Sequence, residues 1–490
     1  MKKIIAQGIM LTALASVSSA YGATQKTDTP KQTPKKTNVL FLFIDDMTYN
    51  GLNILGNHEI ISPTLDSLIG QGTRFVNTYN MGGWNGAVSI ASRTQMLTGL
   101  YLWNADKAQD TKFDGILNAN KTWGQVMVEN GYNSYHTGKW HMKGVKPTEA
   151  FQQSDDPRPG MPNQTPEGYN RPLSKNDNKW LPWDKSKEGY WKGGEHWTEV
   201  LVDDASKYLD EHRNSSKPVF MFCCFNAVHD PHQSPKKFVD MYDVNKIKLP
   251  KSFLPLYPFK DEMGCGKSLR DERLAPFPRT KYSIQKNRQE YYALITHLDS
   301  QIKRLLNKLK EDGMADNTFI IVAADNGLSI GRHGLMGKQS MYDEAMKIPL
   351  AFIGKGIPKG EIRTQLVYLQ DLVPTVMDMV NVKYPSQMQF KSQINIINNA
   401  TAKPVREYIY GAYEDLQRMV RGPRYKLFFI TKSKRLLIYD LHNDPLEMHD
   451  IYIEMKDTPI VHKLGEEYLK LAKEAGDTLN IKPLFPQVFK

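Results

Sequence analysis

The run Ser89-Ile90-Ala91-Ser92-Arg93-Thr94-Gln95-Met96-Leu97-Thr98-Gly99 places a hydroxyl nucleophile, an Arg on the next turn and a Leu-Thr-Gly stop in one short segment. That order describes a helix carrying Ser89 in its first turn, and the N–H groups and dipole of a helix N-terminus favour an anion. Two acidic pairs add to it. Asp45 and Asp46 follow the apolar run Asn38–Ile44, and Asp325 and Asn326 follow Thr318–Ala324. If both runs are strands of one open α/β sheet, both pairs face the crevice at the strands' carboxyl ends. Four oxygen donors there, three of them carboxylates, suit a hard cation such as Ca²⁺ or Mg²⁺ and suit soft metals poorly. A substrate anion and residue 89 would fill the rest of the shell. The chemistry legible at this point is anion chemistry assisted by a divalent cation.

These groups need a scaffold that brings distant segments together. Helical patterns run over Ser62–Gln71 and Thr122–Asn130, a strand near Tyr132–His136, a further strand over Val219–Phe225 and a long amphipathic helix over Ser283–Asp312. Strands alternating with helices predict a mostly parallel central sheet flanked by helices, an α/β fold. Residues 155–197 break the rhythm. They are rich in Pro, Asn, Asp, Lys and Gly, hold Trp180, Trp183, Trp191 and Trp197, and read as an insertion. Those rings could stack on sugar or pack the insertion onto the body. The pattern changes again near Pro385. Tyr408–Tyr413, Met419–Val420, Tyr425–Thr431 and Leu436–Leu441 read as short antiparallel strands, closed by a terminal helix. The division is thus 38–385 for the main domain and 386–490 for a smaller subdomain. Tyr413 and Arg418, on those strands, are further candidates for lining the same pocket.

At 490 residues the chain is long enough for a large core, and its net charge of +11 favours anionic partners. The Lys and Arg residues are dispersed, with no basic helix, zinc-finger spacing or aromatic RNA-binding signature, which argues against nucleic acid. Met1-Lys2-Lys3, an apolar stretch from Ile4 to Val17 and small residues up to Ala23 read as a secretory signal peptide (1–23), followed by a disordered leader (24–37). No other apolar run is long enough to span a bilayer. Export to the periplasm is the expectation. Cys223 and Cys224 are adjacent on a strand and so point to opposite faces; with Cys265 in a loop, buried thiols rather than disulfides are expected.

Taken with Gly138-Lys139-Trp140-His141, Ala227-Val228-His229-Asp230-Pro231-His232 and Gly331-Arg332-His333-Gly334-Leu335-Met336-Gly337-Lys338, the Ser89 run resembles the type I sulfatases, a branch of the alkaline-phosphatase-like superfamily. The resemblance covers residues 38–452, with the motifs in the family's order. It implies that Ser89 is oxidised to formylglycine (3-oxoalanine) by an anaerobic, Ser-type maturing enzyme. Asp45, Asp46, Asp325 and Asn326 would hold Ca²⁺, in preference to Mg²⁺. Arg93 would steady the formylglycine hydrate, and Lys139 and Lys338 would neutralise the sulfuryl oxygens, with His333 beside them. His141 would be the base that collapses the hydrate, and His229 the acid for the leaving alcohol; His232 contacts sugar or packs. Residue 91 is Ala where many members carry Pro. The implied substrate is a sulfated glycan, with sulfated galactose or N-acetylhexosamine favoured. Two other readings stand beside it: a phosphomonoesterase or phosphodiesterase of the same superfamily using unmodified Ser89, and a non-catalytic protein that binds sulfated glycans.

Overall fold

A computed structural model describes residues 36–489. The signal-peptide and leader expectations fall on residues outside that range, except for its last two. The central sheet contains β1 (Asn38–Ile44), β2 (Thr73–Tyr79), β4 (Asn133–Lys139), β5 (Gln153–Arg158), β6 (Val219–Cys224), β7 (Thr318–Ala324), β8 (Lys347–Ile353), β9 (Glu361–Arg363) and β10 (Val367–Tyr368). Its strand order is β10-β2-β8-β7-β1-β6-β4-β5, with β9 beside β2. All its pairings are parallel except those of β8, which runs against both β2 and β7.

The order matters because β7, β1, β6 and β4 are adjacent and parallel, so their carboxyl ends share one edge. Ile44 pairs with Ala324, and Phe43 and Gly138 both align with Cys224. Four chain segments far apart in sequence therefore emerge side by side. β1, β6 and β7 are completely buried and apolar, as strands covered on both faces must be. On one face Phe41, Phe43, Phe222, Trp123 and Phe151 pack ring to ring at 4.9–5.9 Å. The long helix is Lys281–Glu311, and it starts two residues earlier than the apolar period suggests. Thr280 caps it, its hydroxyl accepting the Ser283 N–H at 3.0 Å.

The second sheet has the order β14-β13-β12-β11-β3, built from β3 (Gly82–Gly83), β11 (Ile409–Tyr413), β12 (Gln417–Arg421), β13 (Tyr425–Ile430) and β14 (Arg435–Asp440). The four late strands are antiparallel, as read from the sequence, and the helix Pro459–Ala475 packs on them. The parallel addition of β3, six residues before Ser89, ties this sheet to the site. All three cysteines are buried and unpaired. No helix among the described residues is long and apolar enough to cross a membrane.

Candidate active site

Ser89 occupies the first turn of the helix Val88–Thr98, every residue of which is buried. The helix stops at Gly99, which is left-handed (φ 75°) and donates its N–H to the Gln95 carbonyl at 2.8 Å, the αL C-cap that the Leu-Thr-Gly ending signals. Ser92, one turn along, donates its hydroxyl to the Asp325 carbonyl at 2.8 Å and docks the helix against the end of β7.

Asp45 and Asp46 leave β1, Asp325 and Asn326 leave β7, and Lys139 is the last residue of β4. Ser89 Oγ lies 3.2 Å from Asp45 Oδ1, 3.2 Å from Asn326 Oδ1 and 3.4 Å from Lys338 Nζ. Asn326 Nδ2 donates to Asp46 Oδ1 at 2.7 Å. The structure therefore brings both strand-end pairs around one hydroxyl. Three buried cations face the three buried carboxylates: Arg93 Nε on Asp325 at 3.2 Å, Lys139 Nζ on Asp45, and Lys338 Nζ on Asp46 at 2.7 and 2.9 Å. Arg93 also donates to the Lys139 carbonyl at 3.0 Å, which links the helix to β4.

Burial and the neighbouring Asp325 charge push the Asp45 carboxyl up to about 7 despite Lys139. Burial also works against ionisation of Asp46 and Asp325, but Lys338 and Arg93 respectively hold them below the usual carboxylate range. Crowded, desolvated carboxylates that still carry charge make a site that favours a divalent cation, and the all-oxygen donors of the two pairs fit a hard one. Asp45, Asp46 and His229 also offer ligand atoms within 4.8 Å of one another. His229 thus stands beside the two carboxylates of β1, on the edge of the donor set.

His229 follows β6 and is buried, with Nε2 3.6 Å from Asp46 Oδ2. Burial opposes its charged form, yet Asp46 and Asp230 raise its pKa above the ordinary histidine value. His141 follows β4 with a left-handed backbone (φ 52°). Its Nδ1 is buried without a hydrogen-bond partner among the described residues. Burial, with Lys139 and Arg93 nearby, pushes its pKa far down, so the ring is neutral, and the same surroundings disfavour its protonated form. A methyl group on Gly160 would sit 2.3 Å from His141 Nε2. Gly160→Ala is therefore expected to displace the imidazole alone and to reduce turnover by about 10²-fold, the scale of a misplaced general base. Unchanged Tm with reduced kcat would bear this out; unchanged kcat would remove His141 from the reaction.

Lys338 is delivered by a loop held from outside. Glu272, paired with Arg279, accepts the N–H groups of Met336 (3.1 Å) and Gly337 (2.9 Å). His333 lies elsewhere than expected. Its Nδ1 meets Glu344 at 2.7 Å, its Nε2 meets the Glu447 carbonyl at 3.1 Å, and its ring stacks on Tyr342, so it braces the loop and has no ring nitrogen left for an anion.

Of the two readings of His232, the structure favours packing: it is 1% exposed and edge-on to Tyr291 at 5.4 Å. Arg418 is fully buried against Asp477 (2.7 Å) and Trp103, and Tyr413 is buried. Trp180, Trp191 and Trp197 are buried as well, with Arg171, Lys185 and Arg158 over their faces at 3.9, 5.0 and 4.8 Å. Large rings carry much apolar area to bury, and here packing takes it. Sequence reasoning gave no role to Asp230, although an acid next to a strand-end His was a usable signal.

Known proteins resemble this chain along most of its length. The family model described as Sulfatase matches residues 37–382, and one described as N-sulphoglucosamine sulphohydrolase, C-terminal, matches residues 331–474. An arylsulfatase of Clostridium perfringens is 26% identical, over 85% of this chain and 90% of its own. An N-acetylglucosamine-6-O-sulfatase of Bacteroides thetaiotaomicron is 24% identical, over 90% and 87%. A solved phosphonate monoester hydrolase from Silicibacter pomeroyi superposes with a TM-score of 0.68 at 18% identity, over 90% of this chain and 96% of that one. That last likeness is one of fold.

Proposed function

Because the chain belongs to the sulfatase family and is a sulfuric ester hydrolase, we propose that it removes O-sulfate from a carbohydrate after Ser89 has been converted to formylglycine. The observation that carries this reading is the placement of Ser89 Oγ between Asp45, Asn326 and Lys338 at 3.2–3.4 Å. An unmodified serine that attacked sulfur would become a sulfate ester as slow to hydrolyse as the substrate. A hydrated aldehyde supplies two hydroxyls on one carbon, one to attack and one to expel sulfate afterwards. The conversion is a two-electron oxidation, loss of two hydrogens, for which a Ser-type anaerobic maturing enzyme is the proposed partner.

A divalent cation held by Asp45, Asp46, Asp325 and Asn326 would polarise a sulfuryl oxygen; Ca²⁺ is proposed over Mg²⁺ on the family resemblance. The chain's own groups do the rest. Lys139 and Lys338, whose ammonium groups balance Asp45 and Asp46, are the donors for the sulfuryl oxygens. Arg93 fixes the Ser89 helix against Asp325. His141 is neutral and serves as base, and His229 gives a proton to the sugar oxygen as the S–O bond breaks. A sulfated N-acetylhexosamine or galactose is the proposed substrate, supported by the action of a relative on N-acetylglucosamine-6-O-sulfate. The basic balance of the chain and the signal-like residues 1–23 support a place in the periplasm.

The phosphonate hydrolase likeness is the observation behind a second reading, phosphate- or phosphonate-ester hydrolysis by Ser89 as it stands. Against it, the three carboxylates of the site are already paired with Lys338, Lys139 and Arg93, which leaves little negative charge for a second metal. Sulfate release from a panel of position-defined monosaccharide sulfates tests the reading. Release from at least one sugar sulfate is expected; turnover confined to phosphate or phosphonate esters would overturn it.

A further inference from the structure

The segment Asn226–Gln233, which carries His229, is gripped from both sides. On the inner side it is continuous with the sheet: Val228 N–H donates to the Asp45 carbonyl at 2.6 Å, and Asp45 N–H to the Ala227 carbonyl at 3.0 Å. On the outer side it is held by the 155–197 insertion and, at Asp230, by Arg270 as well. Tyr190, fully buried, donates its hydroxyl to the Asn226 carbonyl at 2.5 Å, with the His229 carbonyl at 3.1 Å. Its N–H donates to Gln233 Oε1 at 2.8 Å, and Asn226 Nδ2 donates to the Pro159 carbonyl at 3.0 Å. The insertion is itself anchored to the long helix by the buried pair of Arg171 and Glu290, which meet at 2.8 Å through Nη1.

The tightest part of this grip falls on the imidazole. Asp230 is fully buried; its Oδ1 lies 3.0 Å from His229 Nδ1 and accepts Arg270 Nη2 at 3.3 Å. Its Oδ2 accepts Gln164 Nε2 at 2.9 Å. The Asp230 carbonyl lies 2.6 Å from the same His229 Nδ1. Nδ1 is thus committed to Asp230, and Nε2 is the nitrogen turned toward Asp46 and Ser89's surroundings.

We propose that Asp230, fixed by Gln164 and Arg270, is the positioning residue for His229, and that the insertion serves as a clamp on the leaving-group side of the site. The clamp holds the ring so that Nε2–H faces the ester oxygen. As one hydroxyl oxygen of the hydrated residue 89 bonds to sulfur, the ester S–O bond breaks and its electron pair stays on the sugar oxygen, which takes the Nε2 proton; Nδ1 keeps its own proton, hydrogen-bonded to Asp230. The proposal rests on the reading of His229 as the acid for the leaving alcohol, and its test separates the two. An orienting group of this kind acts through a neighbour, as the third member of a catalytic triad does.

The role makes a prediction that loss of fold would not. A sugar alkoxide leaves badly without a proton, whereas a nitrophenolate leaves well. In matured enzyme, Asp230→Asn and Gln164→Leu are expected to lower kcat on a sugar sulfate by about 10²-fold, the contribution of a positioned acid. KM should change little, and the loss on nitrophenyl sulfate should be at least tenfold smaller. His229→Ala should show the same discrimination, and Asp230→Asn placed on top of it should cost nothing more, because residues acting as a unit are not additive. Gln164→Leu keeps both charges of the Asp230 pair and guards against a folding failure of Asp230→Asn. Discrimination in His229→Ala but equal losses on both substrates in the Asp230 and Gln164 variants would overturn the clamp alone. Absence of discrimination in His229→Ala would overturn the reading beneath it, and the clamp with it.

Discussion

Asp45→Asn and Asp325→Asn are each expected to lower turnover at least about 10³-fold, near 4 kcal/mol of transition-state stabilisation, with the chain still folded. The amide keeps the shape and most hydrogen bonds of the carboxylate but removes one charge from a site that must hold a divalent cation. A chelator should have the same effect on wild type, and added Ca²⁺ should reverse it. Alanine is a different experiment. The sequence suggests a crevice in which Asp→Ala would spare the fold, yet Asp45 and Asp325 are fully buried and paired with Lys139 and Arg93. Asp325→Ala leaves the Arg93 guanidinium buried without its carboxylate, a change that costs about 3–5 kcal/mol. Asn removes the same charge but keeps an acceptor in place, so thermal unfolding should show a fall in Tm for both substitutions, larger for Ala. A metal-free sample with full activity would remove the cation from the account.

The largest effect is expected at Ser89. Ser89→Ala should reduce activity by on the order of 10⁵–10⁶-fold, the scale on which loss of a covalent nucleophile is felt. Wild-type chain made without a Ser-specific maturing enzyme should be nearly as inactive, although folded and able to bind substrate. Ser89→Cys should recover activity in a host whose maturing enzyme acts on Cys, if that enzyme tolerates Ala91. The tryptic peptide Phe75–Arg93 reports the conversion by mass, as a loss of two hydrogens. Full activity from a chain whose peptide is unshifted would refute the formylglycine nucleophile.

The parts of this protein that could be read in advance are those in which pattern and position carry the same information. β1, β6 and β7 are continuous apolar runs ending in polar residues, so both the strands and the crevice they open into followed from the sequence. The late strands β11–β14 were bounded by turn-formers and came within a few residues of their observed limits. β2 and β8 were missed. β2 alternates buried with half-buried residues and is broken by a bulge, and β8 carries Pro349, which argues against a strand in any one-dimensional reading. β3 is two glycines, with no side-chain pattern to read at all.

The site divides along the same line. Asp45, Asp46, Asp325 and Asn326 stand just past strand ends, and Ser89 and Arg93 lie about one turn apart on a helix, where spacing predicts direction, and the structure gathers them. His333 and Arg418 are placed by motif or location alone, and each is paired with a carboxylate outside its own motif, Glu344 for His333 and Asp477 for Arg418. No local pattern announces such a partner. The tryptophans of the insertion leave two readings open for a related reason: an aromatic cluster in a polar segment can face sugar or core, and only the folded surroundings of the rings decide it. Asp230 and Gln164, which orient His229, are 66 residues apart and became legible only with the insertion folded down.

The central claim is that this chain hydrolyses a sulfate ester through a nucleophile made from Ser89. The most direct measurement compares kcat/KM for an O-sulfated N-acetylhexosamine with that for the phosphate ester at the same position, on protein whose Phe75–Arg93 peptide is shown by mass to be converted. The account predicts that the sulfate ester is preferred and that the preference disappears, with the activity, in unconverted protein. A preference for the phosphate ester, retained when Ser89 is unmodified, would contradict it.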